Sequence, residues 1–256
     1  MSNVDTVRWS KRRITDDAKF LVSLLDKGMC VVDAGCGPGS ITLGIAERVS
    51  PGLVIGVDTN IDRLATARQL IRASHLQNVR LHVGDATAIP IREKAIDVVF
   101  ANGLLEHLHV PAVAIAEFFR VLRTGGLVAL RSPDWGAVIL EPTIPTLLAS
   151  IELRNRWQRH HRGEPQAGRK LKGLLRTAGF SDITVRAEAV NEEPVAFGDY
   201  MHSILCDPAL VVLSERYCWA SATDIAAMIS AWSVWATSPA AFVSSFWCHA
   251  IARKNV

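Results

Sequence analysis

Cysteine is scarce in this chain and follows no pattern: Cys30, Cys36, Cys206, Cys218 and Cys248 are five in 256 residues. They are odd in number and lack the paired spacing of a zinc site or a disulfide framework, so a reducing, cytoplasmic setting is expected. An excess of charge of one sign is also missing, the formal net charge being +3. Its clearest local source, Arg8, Lys11, Arg12 and Arg13, runs at once into Asp16 and Asp17 and reads as a solvated approach to a helix. With no basic stripe, nucleic acid is not an expected partner. The first residues contain no apolar core of signal-peptide length, so secretion is not expected. Ile225 to Ala252 carries no Asp, Glu, Lys or Arg, but Thr237-Ser238-Pro239 cuts it into pieces shorter than a bilayer span. A buried helix followed by a buried strand is expected there instead of a membrane span. No internal repeat or low-complexity segment stands out.

Hydrophobic residues make up 49% and charged residues 21%, the balance of a globular protein with ample chain for one core. The length favours a single domain with insertions. Ile14, Ala18, Leu21, Val22 and Leu25 recur at helical spacing before Gly28, predicting an amphipathic N-terminal helix. Apolar runs at 29–34, 53–58, 79–83, 96–101 and 126–131 read as strands, with helices between them at about 40–49, 62–74 and 111–123. This alternation predicts βαβ units and a doubly wound α/β fold with a mainly parallel sheet. After Arg131 the rhythm breaks. A helix near 146–160, another at 171–178, a sixth strand at 183–190, a helical stretch at 194–236 and a seventh strand at 246–252, pairing beside the sixth, complete the expectation. Residues 1–131 would then hold the N-terminal helix and a ligand-binding core. Residues 132–169 and 194–240 would be cap insertions that select the substrate, and 170–193 and 241–256 would complete the core. Six of the seven tryptophans lie in the second half.

The strongest motif is Val31-Val32-Asp33-Ala34-Gly35-Cys36-Gly37-Pro38-Gly39, a strand entering a glycine-rich turn that opens a helix. Glycines allow a tight turn and close ligand approach, and the helix start offers unpaired N–H groups. Such turns also serve nicotinamide and flavin dinucleotides. Here, however, the third glycine follows the second by two residues, where the dinucleotide pattern needs three. Asp33, just before the glycines, would repel a pyrophosphate but suits a cationic amino-acid head group. Asp58 ends the second strand roughly 20 residues past the turn, suited to a ribose diol, and Asp85 follows the third strand, suited to an adenine amino group. Carboxylates at three strand ends describe an adenosyl sulfonium better than a dinucleotide.

At these residues the sequence resembles the class I S-adenosylmethionine-dependent methyltransferases, and within them the quinone-biosynthesis group (methyltransferase types 11 and 25). The likeness covers the chain through Arg131 and returns at Leu171–Val190 and at the C-terminal strand; Asp33–Gly39 and Gly84-Asp85-Ala86 are its specific matches. It implies a Rossmann-like sheet and S-adenosyl-L-methionine as cofactor. Asp33, Gly35 and Gly37 would border the methionine moiety, with Cys36 and Gly39 in the same turn. Asp58 would bind the ribose hydroxyls, with Thr59 beside it. Asp85 and the Ala86 amide, after Gly84, would read adenine, and Asn102 would close the site at the end of the fourth strand. Asn102-Gly103-Leu104-Leu105 departs from the Asn/Asp-Pro-Pro-aromatic pattern of amino-group methylases, which argues against a nucleobase amine as acceptor. Cys36 is expected to pack, not to attack.

Glu106-His107-Leu108-His109 follows Asn102 toward the edge where open α/β sheets bind ligands. His107 is the candidate general base, since imidazole titrates near neutrality; the plainer alternative is a histidine that caps a helix or supports the site from behind. Metal binding by His107 with His109, or by His160 with His161, lacks a supporting carboxylate pattern. Asp134 and Trp135, leaving the fifth strand, and Tyr200 and His202, in the helical stretch, are candidates to touch the acceptor. The alternative for Asp134 and Trp135 is a tight turn with an edge tryptophan, and for Tyr200 and His202 a satisfied structural polar residue. The aromatic content predicts an apolar site. The expected reaction is S-adenosylmethionine-dependent methyl transfer to a small, partly apolar metabolite. Rival readings are a cyclase or non-catalytic partner that keeps the cofactor, an RNA methyltransferase and a nicotinamide-dependent oxidoreductase. The apolar C-terminal half buries its surface internally or in a homodimer.

Overall fold

The computed structural model describes residues 12–255; Arg8 and Lys11 of the basic run lie outside them. Seven strands form one sheet in the order β3-β2-β1-β4-β5-β7-β6. β1 (Val31–Ala34) and β2 (Val54–Asp58) are buried along their whole length, as strands covered on both faces must be. β3 (Val79–Val83), at the edge, exposes part of its length. β4 (Ile96–Asn102) pairs parallel with β1 and with β5 (Leu122–Glu141). The helices α3 (Ser40–Val49), α4 (Ile61–Ser74) and α5 (Pro111–Val121) connect the early strands. Two apolar layers result: one holds Ile41, Ile45 and Val49, the other Ile115, Phe118 and Leu171. This is the doubly wound, mostly parallel arrangement that the alternating periodicity predicts.

Three departures from the sequence reading have local causes. The N-terminal helix is broken into α1 (Ile14–Asp17) and α2 (Lys19–Val22), with Ala18 outside helical geometry. Asp17 folds back to accept from the Arg13 N–H at 2.9 Å, and its other oxygen lies 3.8 Å from the buried guanidinium of Arg131. In so short a segment tertiary packing outweighs helix propensity. Next, α5 ends at Val121 and β5 begins at once, a register shift between Ile96 and Val98 absorbing the extra residues. Finally, β5 continues through Pro133 to Glu141, although its pairing with β4 ends at Asn102↔Arg131. Its other neighbour in the sheet is β7 (Phe242–Arg253), which also flanks β6 (Ser181–Glu192).

The chain divides into two compact units. The first comprises Met1–Ser132, Ala167–Arg186 and Cys248–Val256, including α7 (Ala167–Thr177). The second comprises Pro133–Gln166 and Ala187–Trp247, with α6 (Pro145–His160), α8 (Pro194–Leu205), α9 (Pro208–Arg216) and α10 (Ala222–Ala236). β5, β6 and β7 run from one unit into the other. The second unit has its own core around Phe197, Trp232 and Trp235. Both indole N–H groups there are satisfied, Trp232 donating to Ser150 Oγ at 2.8 Å and Trp235 to the Pro142 carbonyl at 3.0 Å. A reciprocal capping pair, Ser221 with Asp224, starts α10. Among the described residues, no helix is long and apolar enough to cross a membrane.

Candidate functional site

The carboxyl ends of the parallel strands β1 to β4 converge on a cavity of about 440 Å³ in the first unit. Asp33, Gly35, Cys36, Gly37, Asp58, Thr59, Gly84, Asp85, Ala86, Asn102 and His107 line it. Residues spread over 75 positions of sequence thus meet because each closes a neighbouring strand or the loop after it. Gly35, Gly37 and Gly39 all have positive φ (72°, 54° and 83°), the geometry for which the glycine spacing is suited. Gly39 is not among the lining residues. A Cβ there would come 2.8 Å from that of Ala67, so this glycine serves the close packing of α3 against α4.

Asp58 is held by the turn it faces: one carboxylate oxygen accepts from the Gly37 N–H at 2.9 Å, the other from the Asn60 N–H at 2.8 Å. Asn60 in turn caps α4 by accepting from the Arg63 N–H. Asp33 is 3% exposed and accepts from the Thr42 hydroxyl at 2.6 Å. Burial pushes its carboxyl up to about 7, against the pull of the Thr42 hydrogen bond and with a further push from the charge of Asp58. An acid so buried favours a cation placed beside it. Asp85 is exposed toward solvent and ties its own loop by accepting from the Thr87 N–H at 2.8 Å. Burial, with Asp33 and Asp58 nearby, holds the Cys36 thiol well above its ordinary value, which makes it an inert packing group.

Asn102 is the informative residue at the end of β4. Both polar atoms of its amide are buried and have no hydrogen-bond partner among the described residues. Leaving such a group unpaired costs about 1–3 kcal/mol, so a polar ligand in the cavity would satisfy it. A buried acid suited to a cation, a fixed carboxylate at the second strand end and this amide fit an adenosyl amino-acid cofactor.

His107 ends a short 3-10 helix (Leu105–His107) at the cavity's rim, its side chain 35% exposed. Its Nε2 lies 3.9 Å from Oε1 of the buried Glu106, whose other oxygen accepts from Ser132 Oγ at 3.1 Å. Arg12 corrects the solvated reading of the basic run: it lines the cavity, and a Cβ on Gly103 would come within 3.0 Å of its Nη1. Arg63, which the sequence reading also missed, lines the cavity from the first turn of α4.

The remaining candidates belong to the second unit. Trp135 stacks on Tyr200 with ring centroids 5.7 Å apart. Asp134 is buried and accepts from the Gly136 N–H at 3.0 Å. His202, on the same helix as Tyr200, is exposed. His160 and His161 sit against aromatic rings, His161 on Trp157 and His160 beside Tyr217 and Trp219.

Strand order and a nucleotide-sized cavity at the carboxyl edge define a Rossmann-like fold of the methyltransferase type. The sequence pattern of the methyltransferase domain family matches residues 25–191. The chain belongs to that family, the class I S-adenosylmethionine-dependent methyltransferases, whose cofactor is S-adenosylmethionine. It is 33% identical over 193 residues to an uncharacterized 37.1 kDa protein in transposon TN4556 of Streptomyces fradiae, covering 71% of this chain and 54% of that protein. The chain therefore spans little more than half of that relative. It is 29% identical over 206 residues to the trans-aconitate 2-methyltransferase of Methylobacterium radiotolerans, covering 80% and 74% of the two chains. The fold is shared with a Haemonchus contortus phosphoethanolamine N-methyltransferase solved with S-adenosylhomocysteine. That likeness has a TM-score of 0.63 at 17% identity and covers 99% of this chain and 57% of that one.

Proposed function

We propose that this chain transfers a methyl group from S-adenosylmethionine to a small, partly apolar metabolite. The observation that carries the proposal is the single cavity in which Asp33, Asp58, Asp85 and the unpaired amide of Asn102 surround the glycine turn. When bound, the cofactor supplies a methyl group on a positively charged sulfur, which an acceptor atom displaces in line. The protein's share is to hold, orient and desolvate.

Asp33 is the counter-charge for the cofactor's ammonium group, directly or through water, next to the turn of Gly35, Cys36, Gly37 and Gly39. Asp58, its plane fixed by the Gly37 and Asn60 amides, is aimed at the ribose hydroxyls, with Thr59 at the rim. Gly84, Asp85 and the Ala86 amide receive the adenine. Asn102 exchanges its unpaired state for hydrogen bonds to the cofactor. His107 takes a proton from the acceptor, and the buried carboxylate of Glu106 beside it stabilises the resulting imidazolium. Recognition of the acceptor is assigned to the second unit, with Asp134, Trp135, Tyr200 and His202 as candidates. The trans-aconitate 2-methyltransferase among the relatives supports a small-molecule acceptor.

Mass spectrometry of reactions containing methyl-deuterated S-adenosylmethionine and panels of small phenols, amines, acids and activated carbon acids tests the proposal. A labelled product with equimolar S-adenosylhomocysteine, lost in Asp58→Ala, is expected. Retention of the cofactor without conversion on every panel would overturn it.

A further inference from the structure

The second unit contains a buried cation, Arg154, whose charge no carboxylate among the described residues balances. Arg154, on α6, is 6% exposed, and among the described residues no carboxylate pairs with it. The acid on the same helix, Glu152, is engaged on the outer face by Arg156 at 3.5 Å and Arg159 at 3.2 Å. The Arg154 guanidinium instead lies over the Trp135 ring, 3.9 Å from its centroid, and its Nη1 donates to the side-chain oxygens of Asn155, at 3.1 Å, and Gln158.

These contacts occupy one face and one nitrogen of the fork. The Nε and Nη2 atoms make no hydrogen bond among the described residues, yet they are not among the fully enclosed unpaired atoms. A guanidinium taken from water without a counter-ion is costly, and two neutral amide oxygens offset only part of that cost. The Nε–Nη2 edge that remains is the side-on pair of parallel donors that matches the two oxygens of a carboxylate. Trp135, whose ring the guanidinium covers, also stacks on Tyr200, and Phe197 lies 6.0 Å from Trp135.

We propose that Arg154 is the recognition site for a carboxylate on the methyl acceptor, a planar unsaturated or aromatic acid whose body lies against Trp135 and Tyr200. The inference rests on the methyl-transfer reading for the role of this ligand as acceptor, but the binding itself does not depend on it. Arg154 makes a bidentate pair with the acid, and Asn155 and Gln158 fix the plane of the fork.

The test is calorimetric titration of the full chain with trans-cinnamate and with its neutral isostere trans-cinnamamide, with and without S-adenosylhomocysteine. The acid is expected to bind about tenfold or more tightly than the amide, the worth of a charge-assisted pair. Arg154→Gln should abolish that preference, and Arg154→Lys, which keeps the charge but loses the fork, should reduce it. Thermal unfolding and S-adenosylhomocysteine affinity report whether each variant is folded. Equal binding of acid and amide by the wild-type chain, binding of neither, or a preference retained in a folded Arg154→Gln would overturn the proposal. Failure to bind S-adenosylhomocysteine while discriminating acid from amide would instead overturn the proposed function and leave this site standing.

Discussion

Replacing Asp33 by Asn should remove a pH dependence of stability that the cofactor-free protein shows below neutrality. Burial is the largest cause of the rise of this carboxyl from 3.8 to about 7; the Thr42 hydrogen bond opposes it and the charge of Asp58 adds to it. A carboxyl with a higher pKa when folded than unfolded holds more protons in the folded state. The folded state is therefore favoured at low pH, and that advantage is lost as pH rises from about 4 to about 7. At about 1.4 kcal/mol per unit the whole loss is about 4 kcal/mol, of which about 3 kcal/mol falls between pH 5 and pH 8. In a chain of this size about 3 kcal/mol corresponds to roughly 6–12 °C in melting temperature. Scanning calorimetry of both proteins at pH 5, 6, 7 and 8 reads the effect as a difference, which cancels the titration of groups common to both. The melting temperature of the wild type should fall by that amount relative to Asp33→Asn as pH rises. Saturating S-adenosylmethionine should shrink the fall, because a cation beside the carboxylate restores the value of its charged form. Parallel curves for the two cofactor-free proteins would refute the reasoning.

Asp58→Ala and Asp85→Ala should each weaken cofactor affinity, Asp58→Ala by about tenfold or more for a lost charge-assisted contact, as read by calorimetric titration; near-unchanged binding in both would remove them from the site. His107→Ala should lower the turnover rate about a hundred- to ten-thousand-fold with cofactor affinity retained, and should change the pH profile of the rate; an unaltered profile returns His107 to a structural role. Gly52→Ala should destabilise the protein by about 1–3 kcal/mol in urea unfolding, because the added Cβ would sit 2.1 Å from the Met29 carbonyl oxygen; a change below about 0.5 kcal/mol would contradict that packing.

The architecture was legible where the chain obeys local rules. β1 and β2 are short apolar runs, buried throughout, and the switch from strand to helix at Gly35–Gly39 is written in the glycine spacing. The carboxylates at the strand ends were legible too, because strand order in a doubly wound sheet brings those positions to one edge. Arg12 was not, since a basic run beside two aspartates has the composition of a solvated segment. Only the fold brings its guanidinium to Gly103 in the cavity wall. The length of β5 was hidden by Pro133, which cannot donate to a ladder and marks a strand end in most sequences. Arg154 was hidden differently: on a helix that also carries Glu152, Arg156 and Arg159 it reads as one more surface charge, and its burial against Trp135 follows from packing within the second unit.

The decisive measurement is calorimetric titration of the purified protein with S-adenosylmethionine and, separately, with S-adenosylhomocysteine, using NADH as a control. Binding of both adenosyl ligands, with no heat from NADH, is the result expected of the cavity around Asp33, Asp58 and Asn102. Binding of NADH instead, or of no ligand by protein shown to be folded and free of cofactor, would contradict it.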